Sequence, residues 1–292
     1  MSRRFSVVIP TYNRWATLRQ TLTALQAQTW PAHEIIVVDD GSQDETARAL
    51  PAHFPAVRYL RQANAGPATA RNRGIAEATG EMIAFTDDDC LPPADWLARL
   101  ADGFQRHPEV TGVGGRLLAP AHVQATNLLA QYEAYTVIAL AGANDTEIRA
   151  GFDCPAGGTN NIGYRREALR AVQGFDTQFP YAAGEDADLK WRLAQNGAQF
   201  LYVPLTVWHL QPYTWPAFRK QHTVRGKGVI YFNRKWGGAP SYGRIMARGF
   251  YGLARAFAQW PRYPSPALLR PAIEETLYNT RGQWLARQEI TL

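Results

Sequence analysis

Short runs of β-branched residues alternate with amphipathic segments through the first 118 residues, and this order constrains the fold more than any other feature. Val7 to Ile9 reads as a strand, and Trp15, Leu18, Leu22 and Leu25 follow at helical spacing. Ile35 to Val38 is a continuous apolar run, as expected of a strand buried on both faces. Ser42 with Glu45 three residues on predicts a capping box. A strand near Val57 to Leu60, a loop at Asn64 to Gly66 and a helix opened by Pro67 repeat the scheme, and Met82 to Phe85 is the next strand. The expected fold is therefore α/β, with a mostly parallel central sheet flanked by helices. A helix from Glu185 to Gln195 and a strand at Phe200 to Val203 close this pattern. A soft boundary at 207 separates an α/β domain (1–207, with halves 1–118 and 119–207) from a basic, aromatic, helical C-terminal extension (208–292).

Three adjacent carboxylates, Asp87, Asp88 and Asp89, follow the strand Met82 to Phe85 directly. They repel one another unless a divalent cation neutralises them, and ligands of open α/β sheets bind at such strand ends. A solvated acidic turn is the plainer alternative. Asp39 and Asp40 hold the same place after an earlier strand. Asp39 there either accepts hydrogen bonds from a base or ribose or serves turn chemistry with Gly41 and Ser42. Glu185, Asp186 and Asp188 gather at a helix start. Asp186 shares the inward face of Leu189 and Leu193 and suits a general base, whereas Asp188 is turned about 200° away. His209 after Trp208 is either structural or a metal ligand, and Gly157 to Asn161 is either an ordinary turn or a flexible loop offering the amides of Asn160 and Asn161 to a polar ligand.

Charge is divided unevenly: up to Leu205 there are 18 basic and 22 acidic residues, and beyond it 13 basic and 3 acidic. The two cysteines, Cys90 and Cys154, lack metal-ligand or disulfide spacing, which favours free thiols in a reducing cytoplasm. No stretch approaches the ~20 apolar residues of a spanning helix; the longest surrounds Tyr135 to Ala143. From Tyr242 to Trp260, Ile245, Met246, Phe250, Leu253, Phe257 and Trp260 share one helical face and Arg244, Arg248 and Arg255 the opposite one. That face either packs on the protein or lies peripherally on an anionic membrane surface. No nucleic-acid-binding module is present.

Seven strings carry a resemblance: VVIPTYNR (Val7 to Arg14), EIIVVDDGS (Glu34 to Ser42), NAGPATARNRG (Asn64 to Gly74), FTDDD (Phe85 to Asp89), GGTNNIGYRRE (Gly157 to Glu167), GFD (Gly174 to Asp176) and GEDADLKWRL (Gly184 to Leu193). In this order, from about Phe5 to His209, the chain resembles glycosyltransferase family 2, whose members have the GT-A fold. The resemblance implies an inverting transfer of sugar from a nucleotide-sugar donor, a UDP-sugar by family habit, to a hydroxyl of a glycan or lipid-linked glycan. It implies that Pro10, Thr11, Tyr12 and Asp39 hold base and ribose, with Arg14, Asn64, Arg71, Asp87 and Asp88 completing the donor site. Arg71 would stand beside the diphosphate, and Asp89, with His209 less securely, would hold Mn²⁺ or Mg²⁺. Asp186 matches the catalytic base, and Thr159, Asn160, Asn161, Glu185 and Trp191 the acceptor side.

The triplet leaves Asp88 and Asp89 as alternative metal ligands. The Gln-x-x-Arg-Trp motif of processive members is missing, with Lys190, Trp191 and Arg192 nearby in another order, so a single addition is expected. A sugar nucleotidylyltransferase is disfavoured by the first strand ending in Pro10, Thr11, Tyr12 and Asn13, and a nicotinamide enzyme by the spacing of Gly112, Gly114 and Gly115. A catalytically silent scaffold and a transferase to polyprenyl phosphate stay open.

Overall fold

The alternation builds a nine-stranded sheet in the structure, a computed structural model that describes residues 4–291. Its strands are β1 (Phe5–Thr11), β2 (Glu34–Asp39), β3 (Arg58–Arg61), β4 (Met82–Phe85), β5 (Cys90–Leu91), β6 (Gly112–Leu118), β7 (Ile148–Ala150), β8 (Ile162–Arg165) and β9 (Phe200–His209). They lie in the order β3-β2-β1-β4-β8-β6-β9-β5, and β7 pairs with β9. β8 runs against both β4 and β6, so β1 to β4, β6 and β9 point one way while β5, β7 and β8 oppose them. The helices are α1 (Trp15–Gln26), α2 (Thr46–His53), α3 (Pro67–Glu77), α4 (Trp96–Arg106), α5 (Ala121–Thr126), α6 (Leu128–Tyr135), α7 (Arg166–Ala171), α8 (Glu185–Gln195), α9 (Trp215–Trp236), α10 (Tyr242–Gln259) and α11 (Leu269–Thr291).

The chain forms two compact units. One holds the residues up to Leu118, Val137–Thr177 and Asp186–Leu210; the other holds Ala119–Thr136, Gln178–Glu185 and the residues from Gln211 onward. In the first, successive residues of β1 face opposite sides of the sheet, and both sides are covered. Val7 and Ile9 join Leu18, Leu22, Leu97, Leu100 and Phe104 in one core. Val8 joins Ile36, Val38, Ile75, Leu169, Leu189 and Leu193 in the other. Burying a side chain of this size contributes about 1.5–3 kcal/mol, so either core outweighs any single polar feature of the unit.

The structure departs from the expected elements at Ser42 and at the end of β9. The capping box at Ser42 and Glu45 does not form, because Asp39 Oδ1 takes the Ser42 N–H and the Ser42 hydroxyl accepts from the Asn13 N–H. Asp44 instead receives the Thr46 N–H, and α2 starts at Thr46. β9 continues past Val203 to His209, carried by its pairing with β6 and β5. The apolar stretch after Tyr135 turns as a π-helix over Thr136–Leu140, and among the described residues no helix is long and apolar enough to cross a membrane. In the second unit α10 packs through Ile245, Gly249 and Ala256, leaving Met246, Phe250, Phe257 and Trp260 exposed.

Candidate active site

In the first unit β1, β2 and β4 end on the same side of the sheet. The chain steps outward from β1 through β2 to β3, and returns to β4 on the other flank of β1. The strand order thus reverses between β1 and β4, the crevice where open sheets hold ligands. Asn13 sits at φ 54 beyond β1, a left-handed conformation that asparagine tolerates, and its Oδ1 receives the N–H groups of Gln43 and Asp44. It ties the loop after β1 to the loop after β2. Beside it Tyr12 is 44% exposed, while Pro10 and Thr11 are buried.

Asp39, expected to meet a nucleoside, is fully buried and already engaged. Its carboxylate accepts from Ser42 N and from the Tyr59 hydroxyl at 2.5 Å. Asp40 staples the next loop, accepting from Gln62 Nε2, Ala65 N and Gly66 N, and so presents Gly66 (φ 87) at the start of α3. Asn64 on this loop is exposed.

The aspartate triplet is compensated residue by residue. Arg71, buried on α3, donates to Asp87 at 2.8 Å. Asp88 accepts from the Thr11 hydroxyl at 2.7 Å and pairs with Arg14 at 3.2 Å. Arg14 also pairs with Asp89, so one half-exposed guanidinium bridges two carboxylates. Burial pushes the Asp88 carboxyl up to about 7; Arg14 opposes this, while Asp89 and Asp87 add to it. Asp89 is also buried, yet hydrogen bonding and charge from His209 and Arg14 outweigh that cost and hold its carboxyl below the usual range. His209, the last residue of β9, places Nε2 3.5 Å from Asp89 Oδ2 and pairs in register with Cys90. The Leu210 N–H then closes on the Asp89 carbonyl at 2.7 Å.

These residues fit a divalent cation. Asp87, Asp89 and Cys90 bring one ligand atom each within 4.8 Å of one another, and the guanidinium across Asp88 and Asp89 shows that the position attracts positive charge. Carboxylate oxygens with an imidazole suit Mn²⁺ or Mg²⁺. The Cys90 thiol suits neither, because burial together with Asp87 and Asp89 raises its pKa well above the ordinary value and keeps it protonated.

α8 supplies the remaining acids, and here the structure corrects the helical-wheel reading. Asp186 is half-buried, and its Oδ1 accepts only the N–H of Ala187. Among the described residues its Oδ2 makes no hydrogen bond. Asp188, expected to point away, is fully buried and bonds Arg192 Nε at 2.8 Å. The wheel failed because Arg192 is itself anchored to the carbonyls of Val172 and Gly174, so that side of α8 is also covered. Asn161 is a second correction. Its Nδ2 donates to the Arg116 and Leu205 carbonyls and its Oδ1 receives Trp96 Nε1, which leaves no amide hydrogen for an acceptor sugar. Thr159 is buried and Asn160 half-buried beside it; Trp191 stacks edge-on against Phe152 at 5.1 Å; Glu185, at the start of α8, is buried. Sequence reasoning did not single out Asn13, Asp44 or the Asp188–Arg192 pair, although an asparagine just past a strand is a visible signal for a left-handed turn.

At 33% identity over 207 residues the chain is similar to a pre-mycofactocin glycosyltransferase of Mycobacterium tuberculosis, covering 70% of this chain and 42% of the relative. At 27% identity over 183 residues it is similar to a glucosyl-dolichyl phosphate glucuronosyltransferase of Haloferax volcanii, covering 60% of this chain and 56% of that one. The chain thus spans about half the length of these relatives. The solved mannosyltransferase PcManGT from Pyrobaculum calidifontis, in complex with GDP-Man and Mn²⁺, superposes with a TM-score of 0.68 at 20% identity over 99% of this chain and 88% of its own. S. aureus TarS 1-349 gives 0.54 at 16% identity over 98% and 92%. These likenesses bear on the fold, which is the GT-A type that the resemblance implied. The profile of Glycosyl transferase family 2 matches residues 6–172, more than half of the sequence, and the chain belongs to that family.

Proposed function

We propose that this protein is a divalent-metal-dependent, inverting glycosyltransferase that moves a sugar from a nucleoside-diphospho-sugar to a hydroxyl of a glycan or lipid-linked glycan. The observation that carries the reading is the cluster of Asp87, Asp88 and Asp89 with Arg14, Arg71 and His209 at the strand-order reversal. Asp87 and Asp89, with His209, would hold the cation, which stabilises the negative charge that gathers on the leaving diphosphate. Arg71, fixed against Asp87, faces the same charge from the protein side. Tyr12, exposed beyond β1, offers a ring to the nucleobase, and Thr11, Arg14 and Asn64 line the donor. Asp186 takes the acceptor proton through its Oδ2. Thr159, Asn160, Glu185 and Trp191 remain the acceptor residues of this reading; the amide of Asn161 is committed elsewhere.

The base is tested as uridine first, the family's habit, although the solved mannosyltransferase is in complex with GDP-Man. The relative named for glucosyl-dolichyl phosphate supports a lipid-linked acceptor, which in turn calls for a membrane-facing surface on the protein. Calorimetric titration with UDP, GDP and dTDP, with and without Mn²⁺, tests the reading. One nucleotide should bind only with metal, and Asp89→Ala should weaken that binding at least about tenfold. If no nucleotide binds under either condition, the transferase reading is lost.

A further inference from the structure

α10 exposes the side chains that a helix usually hides. Phe250 and Phe257 are 66% and 53% exposed, Trp260 in the next turn 46%, and Met246 42%. Its packed side is made of small residues. A Cβ on Gly249 would stand 2.9 Å from Thr280 Oγ1 and one on Gly252 2.7 Å from Thr276 Cγ2, so α10 lies directly against α11. Rotating the aromatic stripe inward would drive large rings into that contact, and the stripe therefore faces out.

The charge along this stretch of sequence is of one sign. Residues 206–273 contain 11 Lys and Arg and no Asp or Glu. Arg244, Arg248, Arg255 and Arg262 are exposed, and among the described residues their guanidinium groups make no hydrogen bond or ion pair. Elsewhere in the same unit cations are paired, as Arg219 is with Glu274 and Lys227 with Glu289. An exposed aromatic stripe on one face with exposed, unpaired cations on the opposite one is the composition of a helix lying in a bilayer interface. A second copy of this face would bring like charges together, which disfavours self-pairing.

We infer that α10 and the turn after it dock on a bilayer bearing anionic headgroups, with Phe250, Phe257 and Trp260 entering the acyl boundary and Arg248 and Arg255 meeting lipid phosphates. The surface goes beyond the transfer reading, and its test needs neither donor nor metal, so either can fail alone.

The full chain is co-sedimented with phosphatidylcholine vesicles with and without about one third phosphatidylglycerol, and partitioning should be at least about tenfold stronger on the anionic set. Phe250→Ser with Phe257→Ser should lower it about tenfold or more. Arg248→Gln with Arg255→Gln should lower it roughly twentyfold, about fivefold per cation. Because all four side chains are exposed, the melting temperatures should stay at the parent value, which separates lost docking from lost folding. Equal partitioning onto both vesicle types, partitioning that the variants leave unchanged, or no sedimentation at all overturns the inference. So does light scattering that finds a dimer which the double Phe variant turns into a monomer, since a second copy would then cover the face.

Discussion

Two carboxylates two residues apart on α8 should respond to mutation in opposite ways. Asp188 is fully buried and bonded to Arg192, whose side chain is 17% exposed and which also donates to the Val172 and Gly174 carbonyls. Removing one partner of a buried ion pair costs about 3–5 kcal/mol, and Asp188→Ala belongs at the lower end, about 3, because Arg192 keeps two carbonyl acceptors. At roughly 2–4 °C per kcal/mol for a chain of this size, the melting temperature should fall by about 6–12 °C. Asp186 carries no such burden, since among the described residues it bonds only its neighbour's N–H. Asp186→Asn should move the melting temperature by less than about 2 °C while lowering transfer about 10²–10⁴-fold, the usual contribution of a general base. The assays are differential scanning fluorimetry of both variants, and release of nucleoside diphosphate from the donor that calorimetry selects. An Asp188→Ala protein that melts with the parent refutes the buried-pair argument. An Asp186→Asn protein that keeps more than about a tenth of the transfer rate refutes the base assignment and favours a phosphate acceptor, which needs no base.

In the second unit α9 and α11 cross at paired glycines, where a Cβ on Gly282 would lie 1.9 Å from the Thr223 carbonyl and one on Gly226 2.0 Å from that of Asn279. Gly282→Ala should therefore cost about 3 kcal/mol, read as a lower urea midpoint, and an unchanged midpoint would show the crossing to be looser than described. His222 lies nearly buried with Nδ1 3.6 Å from Glu275 Oε1, beyond hydrogen-bond range, and burial with Arg225 lowers its pKa to about 3. The unfolded chain then binds the extra proton below its ordinary pKa of 6.5, so stability should fall as pH drops, by about 2 kcal/mol between pH 6.5 and 5. His222→Gln should flatten that slope in urea titrations across the same range, and an identical slope in the variant assigns the dependence to another group.

What could be read from the sequence follows the range of the interactions involved. The strands β1, β2 and β4 and the helix α8 were legible because their signals, apolar runs and 3.6-residue spacing, are contained in the element itself. The aspartate triplet was legible for the same reason, since three like charges after a buried strand demand a local explanation. Asp39 stayed open between a nucleoside and turn chemistry because its partner Tyr59 lies 20 residues on, and the commitments of the Asn161 amide were not legible because Trp96 and Leu205 lie 65 and 44 residues away. A turn motif gives the backbone path at such a residue but not which carbonyl or indole will arrive beside it. The face of α10 stayed open between packing on the protein and lying on a membrane, because hydropathy alone does not show that close approach through Gly249 and Gly252 decides the packing.

The charge count at the strand ends also bears on the proposed metal dependence. Asp87, Asp88 and Asp89 face two guanidinium groups, Arg71 and Arg14, so with all three carboxylates ionised the cluster formally carries one negative charge in excess. In that state it repels a diphosphate. A divalent cation reverses the sign, and the same crevice then attracts the anion that the leaving nucleotide becomes. A fourth carboxylate would leave the metal-loaded cluster neutral, and a third arginine would leave the metal-free cluster neutral, so that it no longer repels the diphosphate. The observed set lies between these, and for this reason metal dependence of nucleotide binding, rather than nucleotide binding alone, is the property that reports on the site.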